Sequence, residues 1–435
     1  MNNRIALLSR QGVKCIDWSR LSRWSLIISE FGAVQLSVQV LTALAGILVI
    51  RALSKPEYAH YAIANSMQST CNLLADMGIG MGMTSIGGKV WANRARFGEL
   101  MNTALGLRHR FAMASLVICL PVTGWMLFRN GATMLSTLVL CVAVALGVVP
   151  LLSASIWRVS PLLHGQYRRL QTIDFGNAAL RLLLVGTLML IGLNAWLAVL
   201  IGVLTNWVQV GVLRSWAKEN ADFDAPDNAA DKQQIIEIVR RSFPNSVFFC
   251  FQSQVTLLIL TYVGNSTGIA DVTALGRLAA VFAVFSGIFV NVITPRFARC
   301  QDHRRLLRLY FTLTLGAGLI LILFTVVSWN FPEPLLWLLG SKYASLGNAC
   351  GWVVATACVG QLSGVLWNLN SSKAWISVQS IGFIPMVLAT QAIAAFLLDL
   401  RQFHDVLIFS LITAAAPIPI YIADAWIGLF RGNDQ

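Results

Sequence analysis

Apolar residues in this chain gather into about twelve stretches, each near the roughly 20 residues that a helix needs to cross the hydrocarbon core of a bilayer. Within a few residues the stretches run 28–50, 58–80, 111–128, 133–156, 170–192, 195–215, 243–263, 269–294, 307–328, 346–368, 376–398 and 405–427. Segments so long and so uniformly apolar are not barrel strands, and a lipid-exposed backbone has to satisfy its own hydrogen bonds. The pattern therefore predicts an all-α integral membrane protein. One extended hydrophilic break, from Trp216 to Gln234, carries most of the clustered acids and divides six spans from six. The expected organisation is an N-terminal segment over 1–27, a six-span lobe over 28–215, a linker over 216–242, a second six-span lobe over 243–428 and a tail over 429–435, with a cleft between the lobes.

Basic residues sharpen the picture. The gaps expected on the cytoplasmic side hold 25 of the 32 Lys and Arg residues, among them Arg94, Arg96, Arg108 and Arg158. The opposite side holds five: Arg51, Lys55, Arg129, Lys342 and Arg401. This asymmetry orients both termini toward the cytoplasm. A net charge of +13 with 12% charged residues follows from those loops, and no basic stripe or aromatic-basic module suggests nucleic acid. The first 27 residues lack a small-residue cleavage pattern and are expected to remain as a cytoplasmic end. Trp18, Leu21, Trp24 and Leu26 predict a short helix on the membrane surface there. Eight scattered cysteines show no metal-ligand spacing and read as packing residues.

Polar groups inside the spans are the candidates for function, because ionisable groups there are expensive and usually face a bundle interior or a wet cavity. Asn65, Gln68, Asn72 and Asp76 recur on one face of the second span, and Asp174, Asn177 and Arg181 do so in the fifth. The first span adds Gln35, Gln39 and, nearer the cytoplasm, Glu30; the eighth adds Arg277 and Asn291. For the Asn and Gln residues two readings stand: interhelical hydrogen bonding and a hydrated path. Arg181 and Arg277 have no carboxylate at contact spacing, since Asp174 is two turns from Arg181, and so they point to water or an anionic ligand. Asp76, beside Gly78, Gly80 and Gly82, reads as a brace for a turn. Pro121, Pro150, Pro385, Pro417 and Pro419 mark kinks. Gly347 with Gly351, and Gly360 with Gly364, have the spacing of close helix packing.

Several chemistries have no residues to carry them. There is no phosphate loop ending in Lys-Ser or Lys-Thr, no zinc motif, no nucleophile elbow, and no extended outer loop for a catalytic domain. Neither a metal nor another cofactor is expected, and a transporter is the class that fits, not an enzyme. KPEYAHYAIANS, ending at Ser66, matches TGIADVTALGR, ending at Arg277, and both open the second span of their half. That match suggests a parallel duplication.

The string ILVIRALSKPEYAHYAIANSMQSTCNLLADMGIG, from Ile47 to Gly80, resembles bacterial polysaccharide exporters of the O-antigen flippase type. Its landmarks are Arg51 with Leu53, Pro56 to Tyr58, Tyr61, and Asp76 with Gly78. GIADVTALGRLAAVFAVFSGIFVNVITPRFAR and FPEPLLWLLGSKYASLGNA in the second half are similar too, although Ala59 stands where the family often has Gly. The resemblance implies the multidrug, oligosaccharidyl-lipid and polysaccharide exporter superfamily, with twelve helices, alternating access and a place in the bacterial inner membrane. The implied partner is an undecaprenyl-diphosphate-linked oligosaccharide, carried from the cytoplasmic to the outer leaflet among membrane lipids and beside glycan-assembly enzymes. On that reading Arg181 and Arg277 hold the diphosphate, with Gln35, Gln39, Asn65, Gln68, Asn72 and Asn177 along the sugar path. Asp174, Glu30 and Asp76 would serve ion coupling or substrate access. A multidrug or cation antiporter of the same superfamily and a non-transporting scaffold of glycan assembly are the alternatives.

Overall fold

Helices follow the apolar stretches through a computed structural model that describes residues 18–263, 266–289, 293, 294, 297, 302–373, 375 and 378–430; no strand occurs among them. The first half comprises α1 (Trp18–Ala52), α2 (Lys55–Asp76), α3 (Ile79–Val90), α4 (Arg94–Arg129), α5 (Met134–Trp157), the single turn α6 (Val159–Leu163), α7 (Tyr167–Ile191) and α8 (Ala195–Asn220). The second half comprises α9 (Ala229–Val263), α10 (Ser266–Gly276), a 3₁₀ turn (Arg277–Ala280) and α11 (Val281–Ile288). It continues with α12 (His303–Asn330), α13 (Pro332–Leu339), α14 (Gly347–Ser372), α15 (Gln379–Leu397), α16 (Phe403–Ala415) and α17 (Ile418–Phe430). Nine helical segments among the described residues are long and apolar enough to cross a membrane.

Local chemistry sets the breaks. Ser54 caps α2 by accepting from the Glu57 N–H at 3.4 Å, with Pro56 in the first turn, and Thr133 caps α5 by accepting from Ser136 N at 3.2 Å. The second span breaks where Met77 and Gly78 take left-handed conformations, φ 38° and 98°. The eighth span breaks at the 3₁₀ turn that begins at Arg277. The second span of each half is thus interrupted, and a 3₁₀ stretch inside a helix often marks a hinge.

In the first lobe α2 lies centrally against α4, α5 and α8, while α1 runs along α7. In the second lobe α14 takes the central place, against α12, α16 and α17. The lobes meet where α2 packs on α10, where α9 packs on α2, α3 and α4, and where α1 meets the 3₁₀ turn and α13. Polar bonds join the two halves at the basic-rich end, where Arg96 meets Asp231 of α9, and at the end poor in basic residues. Lys55 pairs there with Asp271 at 2.8 Å, and Arg51 donates to the carbonyls of Trp337 and Leu338 at 2.7 and 3.1 Å. Lys342 Nζ donates to the carbonyl of Arg51 at 2.9 Å and to that of Leu53, and Asn130 donates to Thr261 at 3.3 Å.

Three expectations are corrected. The chain is helical without a break from Trp18 to Ala52, so Trp18, Leu21, Trp24 and Leu26 begin α1 rather than a separate surface helix. The 216–242 stretch is mostly helix: it completes α8, is non-helical only over 221–228, and then forms the first turns of α9. Those turns dock on the first lobe, with Asp231 accepting from both terminal nitrogens of Arg96 at 2.5 and 2.6 Å and Ile235 fully buried. Apolar burial and charge pairing hold this segment, which is why its hydrophilic composition misleads. Gly360 and Gly364 have no atom within 4 Å of a built Cβ and do not mediate close helix contact, whereas Gly351 lies against Trp329, where a Cβ would stand at 2.8 Å.

Candidate functional site

Between the lobes lies a cavity of about 760 Å³. Its first-lobe wall is the face of α2 carrying Asn65, Ser66, Ser69, Asn72 and Asp76, with Arg108 from α4 and Ser155 from α5. Its second-lobe wall is Ser253, Gln254 and Leu257 from α9, Thr273 and Gly276 from α10, and Arg277. The walls touch through Gln254, which accepts from Ser66 at 2.9 Å and donates to Thr70 at 2.8 Å.

Arg277 occupies the deep end. Its guanidinium lies beside the hydroxyls of Tyr58 and Tyr61, both buried side chains of α2, and among the described residues the Tyr58 oxygen makes no hydrogen bond. Gly46 on α1 leaves the space it fills: a Cβ there would stand 3.6 Å from the Arg277 Nη1. Arg181 approaches the same tyrosine from the first lobe, donating to Tyr61 Oη at 3.1 Å, and Gly202 on α8 accommodates it in the same way, with a Cβ at 3.8 Å. Each lobe therefore brings one guanidinium to Tyr61, and neither has a carboxylate partner among the described residues. Arg277 lines the cavity; Arg181 stands behind Tyr61.

At the other end of the cavity Arg108, 4% exposed, donates to Asp76 at 2.5 Å and to the Ser155 hydroxyl. Asp76 also accepts from Gly80 N at 3.1 Å, bracing the left-handed break between α2 and α3. The two ends differ chemically, since one cation is neutralised by a carboxylate and the other by none.

The remaining candidates do not gather here. Gln68 is 7% exposed and turned toward α5, where its amide occupies the space a Cβ of Gly147 would take. Asn177 donates to Gln209 at 3.2 Å, Gln209 donates to Asp174 at 3.0 Å, and Asp174 is clamped by Arg158 at 2.5 and 2.8 Å. That row is a hydrogen-bond network within the first lobe. Gln35 and Gln39 lie on α1 outside the cavity lining. The side chain of Glu30, and Asn291, lie outside the described residues. Arg108, expected in a gap, is inside α4, and the apolar residues Leu100, Met101, Ala104, Leu105 and Leu107 just before it are the signal that could have placed it. The Tyr58 and Tyr61 hydroxyls as cation partners carried no signal from spacing.

Comparison with solved structures places this architecture. A multidrug resistance MATE family transporter of the MOP superfamily in an inward-facing conformation superposes with a TM-score of 0.66, at 16% identity over 93% of this chain and 100% of that one. The chain has the fold of the MATE transporters. An outward-facing conformation of a multidrug resistance MATE family transporter of the MOP superfamily gives a TM-score of 0.55 at 17% identity, covering 93% of this chain and 94% of that one. A MOP superfamily transporter from Pyrococcus furiosus, described as having a binding pocket of reverse polarity that suggests a different function, gives 0.55 at 16% identity, covering 93% and 94%. No family model and no curated protein matches the sequence. In the MATE fold about twelve spans form two six-helix lobes around a central cleft, and the cavity described above occupies that cleft.

Proposed function

We propose that this chain is a transporter that moves an undecaprenyl-diphosphate-linked oligosaccharide from the cytoplasmic to the outer leaflet of a bacterial inner membrane by alternating access. The observation that carries the reading is the convergence of Arg181 and Arg277, one from each lobe, on Tyr61 without a carboxylate. Unpaired guanidinium groups in a cleft suit phosphate oxygens through their forked donors. Arg277 holds the diphosphate at the deep end, Arg181 joins it as the lobes move, and Asn65 and Asn72 give the sugar hydrogen-bonding groups. The polyprenyl chain stays in lipid. The inter-lobe bonds at the basic-poor end, read as the outer side, keep that end closed.

The multidrug reading has the described activity of the structural neighbours behind it. An organic cation would need an unpaired acid in the cleft, and Asp76 is already paired with Arg108. A scaffold without transport would need a closed, dry interface, and the cleft holds a cavity. The deciding experiment is leaflet transfer in proteoliposomes, comparing a labelled undecaprenyl-diphosphate glycan with tetraphenylphosphonium. Movement of the glycan lipid, lost in Arg277→Ala, supports the proposal; movement of the cation alone overturns it.

A further inference from the structure

A second cavity, of about 630 Å³, lies inside the second lobe on the side of α9 turned away from α2. Ser253, Gln254 and Leu257 of α9 face the central cleft, while Phe248, Phe249 and Gln252 face this cavity, so one helix is the wall of both. Its origin is a difference between the lobes. In the first lobe α1 packs along α7. The corresponding pair in the second lobe, α9 and α15, touch where the Phe248 and Phe249 rings meet that of Phe383 at 5.6 and 5.7 Å and where Gln391 donates to Gln252 at 2.9 Å. The space between is left open, and Gly360 and Gly364 of α14 widen it.

The lining has a definite chemistry. Phe248, Phe249, Trp367, Phe383 and Tyr421 supply aromatic faces, while Gln252, Ser363, Gln379 and Thr413 supply amides and hydroxyls. Ser363, 8% exposed, makes no hydrogen bond among the described residues, and Gln252 accepts from Gln391, leaving its own NH₂ group to donate. No charged side chain is among the described lining residues. Volume and composition match ligand sites of roughly 300–1,000 Å³ that are mostly aromatic with a few placed polar groups. A hydrocarbon tail would leave the buried amides and hydroxyls unsatisfied, which is costly. An organic cation would find rings but no counter-charge. A sugar ring satisfies both halves of the lining, stacking its C–H face on the aromatics and bonding its hydroxyls to the amides.

We infer that this cavity is a binding site for a neutral saccharide, separate from the arginine site. The inference extends the proposed transport of a glycan by giving the sugar a place of its own, but its test needs no transport. Saturation-transfer NMR would be recorded on the purified full chain, in a detergent without a sugar head group. The probes are free N-acetylglucosamine, galactose and rhamnose, with geranylgeraniol and tetraphenylphosphonium for comparison. The expected result is transfer to at least one sugar, lost in Trp367→Ala, kept in Trp367→Phe and kept in Arg277→Ala. If Trp367→Ala does not fold, Gln252→Leu takes its place. No transfer to any sugar, transfer untouched by these cavity variants, or binding of the prenol or the cation alone would overturn the inference. Loss of glycan-lipid transfer in Arg277→Ala with sugar binding intact would separate the two sites.

Discussion

At the scale of single residues, the site turns on how Tyr61 is shared. Its hydroxyl holds Arg181 through one hydrogen bond at 3.1 Å, and such a bond contributes about 0.5–1.5 kcal/mol net. Tyr61→Phe should therefore weaken binding of a lipid diphosphate by about 2- to 10-fold, as measured by titration with farnesyl diphosphate. Removing Arg277 deletes a charge-assisted contact worth about 1.5–3 kcal/mol, so Arg277→Ala should weaken it by about 10- to 100-fold. An equal effect of both variants would show that Tyr61 contacts the ligand directly instead of aiming Arg181. The sequence made Arg181 and Arg277 visible because a cation within a span without a nearby carboxylate is conspicuous. It could not show that Asp174, two turns from Arg181, is engaged by Arg158 and Gln209, because that pairing depends on how α5, α7 and α8 pack. Polar rows on a helix face look alike whether they meet water or one another.

At the scale of elements, the interrupted second span of each half is the feature with most consequence. Gly78 sits at φ 98°, where an L side chain costs about 1–2 kcal/mol. Gly78→Ala should lower the melting temperature of the detergent-solubilised protein, whereas Gly176→Ala, in a helix with open space around it, should leave it unchanged or raise it. Equal melting of the two variants would remove the structural role of the break. The apolar pattern showed where helices run, but its boundaries failed where helices continue past the bilayer. Arg94 to Arg110 lie in α4, and Ala229 to Gln234 lie in α9, because docking against neighbouring helices rather than lipid stabilises those turns.

For the whole molecule, the bonds at the basic-poor end hold one state of a two-lobe device. The Lys55–Asp271 pair joins α2 to α10, with Lys55 also 5.2 Å from the Tyr343 ring centre. Asp271→Asn removes the counter-charge and should shift the lobes toward opening at that end, read as faster labelling of a cysteine placed at Ala274 by a membrane-impermeant thiol reagent in the variant than in its parent. Unchanged labelling would mean that the carbonyl contacts of Arg51 and Lys342 suffice to keep the end shut. The central claim is that two guanidinium groups, one per lobe, carry an anionic lipid head through the cleft. Its most direct test is transfer of a labelled undecaprenyl-diphosphate glycan between leaflets of proteoliposomes holding equal amounts of folded wild type or of the Arg181→Ala/Arg277→Ala double variant. Transfer by the wild type and none by the variant is the predicted result; equal transfer by both would contradict the account.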